Sequence, residues 1–202
     1  MDETAKTIAE FRKKTNGIAE ICFAMKANPF LAGQMAELAD RIEVCSMGEY
    51  EICRKLMIPP EKMLISGVLK EQKNLERIMY ELRDSCRYSV ESVNQFYCIA
   101  KWCQTHKQTL RIYLRLTSGN QFGMDEKTLK ELICAGSTYP FVKIAGIHFF
   151  SGTQKRSADI FRKELRRLDE LCCEIKEVYG LEIPELEYGP GLKMPYFEGQ
   201  PD

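Results

Sequence analysis

The chain has 202 residues, of which 45% are hydrophobic and 29% are charged, a composition typical of a globular protein with one sizeable core. Its 29 basic and 29 acidic residues give a formal net charge of zero, which argues against nucleic acid or an anionic membrane as a partner. No apolar run is long enough to span a bilayer, and the N-terminus lacks a signal-peptide pattern. These features predict a cytoplasmic protein.

The nine cysteines are an odd number and are scattered along the chain without a CxxC pair. Several fall at apolar positions of helix-like or strand-like segments. We therefore predict free, buried thiols in a reducing compartment, with neither a disulfide framework nor a metal site.

Short strand-like apolar runs recur along the chain, and most are separated by helical patterns. We predict strands over residues 21–25, 41–45, 63–67, 87–90, 110–116, 142–150 and 185–188. We predict helices over residues 30–40, 48–57, 72–82, 93–105, 126–135 and 158–179. This alternation predicts a parallel sheet, either doubly wound or closed into a (β/α)8 barrel.

Polar and glycine-bearing residues follow nearly every predicted strand, which favours the barrel. A doubly wound sheet concentrates its site at one switch point, whereas a barrel draws on most of its βα loops. We predict a single domain over residues 1–202, in the α/β class, with the fold of an incomplete (β/α)8 TIM-like barrel. About seven strands are present, and an eighth is absent because few residues follow the last glycine-rich loop.

The first predicted strand ends in Lys26. A desolvated amine loses its proton more readily and becomes a usable nucleophile. A lysine at a strand end can equally extend its amine into solvent. Both interpretations remain open on this segment alone.

Five segments, taken together, carry a family resemblance. They are residues 23–28 (Phe-Ala-Met-Lys-Ala-Asn), 43–49 (Glu-Val-Cys-Ser-Met-Gly-Glu), 114–116 (Leu-Arg-Leu) with 122–124 (Phe-Gly-Met), 146–154 (Gly-Ile-His-Phe-Phe-Ser-Gly-Thr-Gln) and 186–192 (Leu-Glu-Tyr-Gly-Pro-Gly-Leu). In this order they resemble the alanine-racemase-like barrel of fold-type III pyridoxal-phosphate enzymes, in particular the diaminopimelate and ornithine decarboxylases.

The resemblance implies pyridoxal 5'-phosphate as cofactor and Lys26 as the residue that forms the Schiff base with it. Glu43 would tune that Schiff base or pair with Lys26, and Ser46 would belong to the cofactor site. Arg115 would face the phenolic oxygen of the cofactor or a nearby acid. An ordinary ion pair at the barrel mouth is the structural alternative for Arg115.

The last two segments imply further contacts to the cofactor. Phe150 would stack on the ring, and His148 is either a catalytic group or a satisfied histidine inside the barrel. Thr153 would offer its hydroxyl and backbone N–H to the phosphate, as loops at helix N-termini do. Gly189 and Gly191 would do the same after the seventh strand, where barrel phosphate sites commonly lie.

Two residues depart from the family pattern. Phe150 stands where the decarboxylases carry a ring-stacking histidine, and Pro190 replaces the middle glycine of the phosphate loop. The Phe-Ser-Gly-Thr-Gln segment, residues 150–154, looks more like the branch that acts on unusual substrates, including amino acids carried as thioesters.

The resemblance covers nearly all of this chain but about half of a family member. The eighth strand, with the glutamate that pairs with the pyridine nitrogen, and the C-terminal β-domain are missing. We therefore expect a trimmed or shortened chain with little turnover by itself. Unpaired strand edges lead us to expect a homodimer or other self-association.

The function implied is decarboxylation of an amino acid, which makes the protein a lyase of amino-acid metabolism. The substrate would be a small molecule, namely diaminopimelate, ornithine, lysine, arginine or a carrier-bound amino acid. Two alternatives remain open: a stand-alone carrier of pyridoxal phosphate, and an amino-acid racemase that takes a second base from a partner subunit.

Overall fold

The computed structural model of the protein describes residues 2–67 and 71–193. These residues form two compact units. One comprises the described residues up to Ser89 together with Thr105–Arg111, and the other comprises Val90–Gln104 with the described residues from Ile112 onward.

Strands and helices alternate along the described residues. The strands are β1 (Cys22–Ala24), β2 (Arg41–Val44), β3 (Met63–Ile65), β4 (Arg87–Val90), β5 (Leu110–Leu116), β6 (Val142–Phe150) and β7 (Glu185–Gly189). The helices are α1 (Asp2–Lys14), α2 (Ala32–Leu38), α3 (Met47–Lys55), α4 (Gln72–Leu82), α5 (Val93–His106), α6 (Glu126–Gly136) and α7 (Ala158–Tyr179).

The seven strands belong to one sheet, and their order in the sheet is their order in the chain. In the first unit β2 pairs in parallel with β1 and with β3, and in the second unit β6 and β7 are parallel. A doubly wound sheet reverses its strand order at a switch point, whereas a barrel does not. The predicted class, an incomplete (β/α)8-type barrel, is confirmed. Residues 194–202, where we expected no further strand, lie outside the described part.

Several predicted boundaries are reproduced without change, namely those of β4, β5, β6, α4 and α7. The first strand is shorter than predicted because a 3-10 turn, Met25–Ala27, takes over its end. A second 3-10 turn, Pro29–Leu31, delays α2 until Ala32. Pro29 fixes its own backbone angle and lacks an N–H, which suits the first position of such a turn.

Helix α1 was not predicted, since its few apolar residues give a weak periodic signal. Ile8 of α1 packs against Met35 and Ala39. Arg12, one turn further along, donates a 2.7 Å hydrogen bond to Asp40. The helix is therefore held by a small apolar cluster and by Arg12, which also donates a hydrogen bond to the Leu38 carbonyl.

All nine cysteines lie within the described residues, and none of them forms a disulfide. The expectation that the thiols are buried holds for Cys53, Cys86 and Cys103 but is wrong for Cys134 and Cys173, which are exposed on α6 and α7.

In the described residues, no helix has the length and apolar character needed to cross a bilayer. The same residues contain no cluster of histidine, cysteine and carboxylate groups suited to a metal ion.

Candidate cofactor site

Lys26 lies in the 3-10 turn that follows β1. The register of β1 and β2 sets Ala24 beside Glu43, and the Lys26 Nζ atom lies 3.4 Å from a Glu43 carboxylate oxygen. The Lys26 side chain is 52% exposed, whereas that of Glu43 is 11% exposed. Of the two interpretations left open for Lys26, the structure favours the amine that reaches solvent, because the 3-10 turn carries Lys26 out of the strand. The amine is accessible and is paired with a buried carboxylate.

Ser46 is the N-cap residue of α3 and follows Glu43 by three positions. Its hydroxyl accepts a hydrogen bond from the Glu49 backbone N–H, while the Glu49 carboxylate accepts one from the N–H of Cys45. This reciprocal capping fixes the start of the helix. Burial, followed by the charge of Glu43, raises the pKa of Cys45 to about 12. The Cys45 thiol is therefore protonated at neutral pH and does not compete with Lys26 as a nucleophile.

Ser66 follows β3 and carries a buried hydroxyl. Its Oγ atom has no hydrogen-bond partner within the described residues, although its backbone N–H donates to Val44. A buried hydroxyl without a partner costs about 1–3 kcal/mol. Water or a ligand group would satisfy it.

Arg115 lies near the end of β5 and is held by two groups. Its guanidinium is 2.7 Å from Glu91, and both side chains are less than 10% exposed. The centre of the Phe122 ring lies 5.2 Å from the guanidinium carbon. Met124 donates its N–H back to the Arg115 carbonyl, so the loop after β5 folds over the strand end. A partner acid fits both the predicted nearby acid and the alternative of an ordinary ion pair at the barrel mouth. The sequence did not predict that Glu91 supplies it.

His148 and Phe150 lie near the carboxyl end of β6. His148 is 5% exposed and stands opposite Glu187 in the register with β7. Phe150 stands opposite Gly189, where a Cβ atom would lie only 2.5 Å from the phenyl ring. The absence of a side chain at Gly189 therefore lets the Phe150 ring lie directly against β7.

The loops after β6 and β7 meet backbone to backbone. A Cβ atom on Gly191 would lie 1.8 Å from the Gly152 carbonyl oxygen, and the N–H of Lys155 donates to the Gly191 carbonyl. Space around the Cα atom of Gly152 is open, and Thr153 is exposed. Helix α7 begins at Ala158 as predicted, so Thr153 lies in the loop that precedes the helix. The open, side-chain-poor surface fits a phosphate group.

One carboxylate beneath these loops was missed from the sequence. Glu164 of α7 accepts hydrogen bonds from Ser151, Lys155 and Tyr188. The signal was present, since Glu164 precedes Leu168, Leu171 and Ile175 at helical spacing, and those three residues are the buried stripe of α7. A carboxylate in line with a buried stripe indicates a buried ion pair.

The strand order and the position of these residues define the class of protein. It is an incomplete barrel of the (β/α)8 type, whose candidate ligand-binding residues lie towards the carboxyl ends of the strands and in the βα loops. The family described as pyridoxal-dependent decarboxylase, pyridoxal binding domain, matches residues 2–202, and the chain belongs to this family. Pyridoxal phosphate, predicted as the cofactor, is the cofactor of this family.

Characterised relatives are amino-acid decarboxylases. The chain is 28% identical over 204 residues to the L-glutamyl-[BtrI acyl-carrier protein] decarboxylase of Niallia circulans, covering 93% of this chain and 47% of the relative. It is 25% identical over 198 residues to the diaminopimelate decarboxylase of Methanocaldococcus jannaschii, covering 88% of this chain and 44% of that protein. The chain thus spans about half the length of these curated relatives.

Solved structures share the fold. The structure of the M. jannaschii diaminopimelate decarboxylase in complex with L-lysine matches with a TM-score of 0.82 and 22% identity, covering 98% of this chain and 51% of that chain. AQ1208 from Aquifex aeolicus matches with a TM-score of 0.79 and 26% identity, covering 98% and 49%.

Proposed function

We propose that this chain binds pyridoxal phosphate covalently at Lys26 and serves decarboxylation of an amino acid. The observation that carries the proposal is the accessible Lys26 amine, 3.4 Å from Glu43, in a chain of a pyridoxal-binding family. When bound, the cofactor supplies an electron sink for the electron pair that carbon dioxide leaves behind.

Lys26 and Glu43 are the residues proposed to contact the aldehyde group of the cofactor. The Lys26 amine would hold the cofactor at its aldehyde carbon. Glu43 is close enough to hold a proton at the Lys26 nitrogen. A Lys26 amine not bonded to the cofactor would serve as acid or base. Arg115, fixed by Glu91, would offer its guanidinium to the phenolic oxygen.

The remaining proposed residues hold the cofactor in place. The backbone of Gly152, Thr153 and Gly191 binds the phosphate, and the open space at Gly152 supports this role. Phe150 offers its ring face to the pyridine, which Gly189 permits by its lack of a side chain. His148 and Ser46 are the remaining proposed cofactor contacts; Ser46 also caps α3.

We further propose that the substrate is diaminopimelate, ornithine, lysine, arginine or a carrier-bound amino acid. The carrier-bound class is supported by the Niallia circulans relative, whose name specifies a glutamyl group on an acyl-carrier protein. The Phe-Ser-Gly-Thr-Gln segment, residues 150–154, supports the same class. We also propose that the chain is cytoplasmic and associates with further copies of itself.

The substrate proposal is tested by competition with Lys26. The chain is loaded with pyridoxal phosphate, incubated with each candidate amino acid or with a glutamyl-loaded carrier protein, and reduced with borohydride. A substrate amine that replaces Lys26 on the cofactor lowers the label on Lys26 and releases a reduced cofactor–amino acid adduct. Glycine serves as the matched non-substrate. A label that none of the candidates lowers would contradict the decarboxylase proposal and favour a cofactor carrier.

A further inference from the structure

Glu164 joins the two loops that we assign to the phosphate, although it belongs to neither. One of its carboxylate oxygens accepts a hydrogen bond from the Ser151 hydroxyl, and the other accepts one from Lys155 at 2.9 Å and one from Tyr188 at 2.6 Å. Ser151 and Lys155 bracket the segment Gly152–Thr153–Gln154, and Tyr188 directly precedes Gly189. A single carboxylate therefore holds both ends of the first loop and the start of the second.

The cluster is shielded from solvent and electrically balanced. The side chains of Lys155 and Glu164 are 9% and 17% exposed. The Lys155 ammonium also lies 5.8 Å from the centres of the Phe161 and Tyr188 rings. Burial raises the pKa of Glu164, but hydrogen bonds from Ser151, Tyr188 and Lys155 outweigh it and hold that pKa below its usual value. Because Glu164 neutralises Lys155, the ammonium is not a free counter-charge for a phosphate.

The backbone of Lys155 joins the loops as well. The Lys155 N–H donates a hydrogen bond to the Gly191 carbonyl at 2.9 Å, and the Lys155 carbonyl accepts one from the backbone N–H of Lys193 at 3.0 Å. The preceding residue, Gln154, has a positive φ of 61°, a conformation that is strained for a non-glycine residue. Such a backbone persists only where its neighbours fix it.

We infer that Glu164 is a positioning residue for phosphate binding, which it serves by holding the loops after β6 and β7 in the arrangement that receives the phosphate of pyridoxal phosphate. The inference rests on the proposed function. Ordering a loop before the ligand arrives removes an entropy cost that binding would otherwise pay. Loss of Glu164 leaves Lys155 without its partner carboxylate and releases Ser151 and Tyr188.

The test compares two ligands that differ only in the phosphate. Equilibrium dialysis measures the dissociation constants of pyridoxal phosphate and of pyridoxal for the wild-type chain and for Glu164→Ala. We expect the constant for pyridoxal phosphate to rise about tenfold or more, while that for pyridoxal stays the same. Glu170→Ala, at an exposed glutamate of the same helix, is the matched control and should change neither constant.

Each other outcome has a definite meaning. Equal weakening of both ligands, or unchanged binding of pyridoxal phosphate by Glu164→Ala, would overturn the positioning role. A wild-type chain that binds neither ligand would instead refute the proposed function. Where Glu164→Ala fails to fold, Tyr188→Phe, which removes one hydrogen bond and keeps the Lys155 ion pair, gives the same comparison with a smaller expected rise. If Tyr188→Phe raises the dissociation constants of pyridoxal phosphate and of pyridoxal by the same factor, the inference fails.

Discussion

Two side chains of the candidate site lie in contrasting environments, and each environment suits a different task. Lys26 is half-exposed, so a cofactor aldehyde can reach its amine from solvent. Arg115 is buried against Glu91, so its guanidinium keeps one orientation. Chemistry that forms a new bond needs access, whereas a group that only orients a ligand gains from being fixed.

The Arg115–Glu91 pair provides a stability prediction. Glu91→Ala removes one partner of a buried ion pair and leaves the Arg115 charge uncompensated, which costs about 3 kcal/mol. Urea unfolding monitored by circular dichroism measures the loss. Asp159→Ala, which breaks the exposed pair with Arg162, is the control and should have little effect. Similar losses in the two variants would show that the Arg115 pair is not buried in solution.

The positions of the candidate residues on the strands and turns were predicted better than their environments. Lys26, Glu43 and Arg115 follow or end strands, and a strand-end position can be recognised from the apolar run before it. The partner of Arg115 lies 24 positions away, and Glu164 lies on a helix rich in charged residues. Sequence pattern does not reveal which distant charge meets which, because that depends on packing between elements.

Among the elements, α1 is attached in part through Asp40. Asp40 accepts hydrogen bonds from Arg12 of α1 and from the backbone N–H of Ile21. Burial raises the pKa of Asp40, but the Ile21 N–H and the Arg12 charge outweigh it and keep that pKa below its usual value of 3.8. The carboxylate thus links the helix to the start of the first strand.

Asp40→Asn should therefore loosen α1 in a pH-dependent way. Because the folded-state pKa is depressed, the contribution of Asp40 is fully present above 3.8 and is lost as the pH falls through the lowered value. We expect the variant to be less stable than wild type by about 1 kcal/mol near pH 7 and the difference to shrink in acid. Urea unfolding at several pH values measures it, and a difference independent of pH would contradict the account.

The elements that were predicted well have clear patterns of adequate length, a helical periodicity in α4 and long apolar runs in β5 and β6. Helix α4 and the strands β5 and β6 begin and end where expected. The region from residue 25 to residue 31 was predicted poorly, since two consecutive 3-10 turns replace the expected continuation of β1 and the start of α2. Short turns of this kind leave no periodicity to detect.

At the scale of the whole molecule, strand order in the sheet follows chain order. The order was predicted because alternating strands and helices with polar loops after each strand favour a barrel over a doubly wound sheet. Within the described residues β1 and β7 are the two ends of the sheet. Each therefore has one edge to which no described strand is bonded.

Such edges favour pairing with another chain, and we expect self-association. Sedimentation velocity at increasing protein concentration should show a species heavier than one chain. Leu186→Lys places a charge on an exposed position of β7 and should weaken the association, whereas Val178→Lys, at an exposed position of α7, should not. A single monomeric species at every concentration would contradict the expectation.

The central claim is that pyridoxal phosphate attaches to Lys26, and reduction followed by peptide mapping tests it most directly. The chain is incubated with a limiting amount of the cofactor, reduced with borohydride and digested, and the modified peptide is identified by mass spectrometry. We expect the label on Lys26, its loss in Lys26→Ala, and its retention in Lys127→Ala, a control at an exposed lysine. A label on other lysines with the Lys26 peptide unmodified would contradict the account.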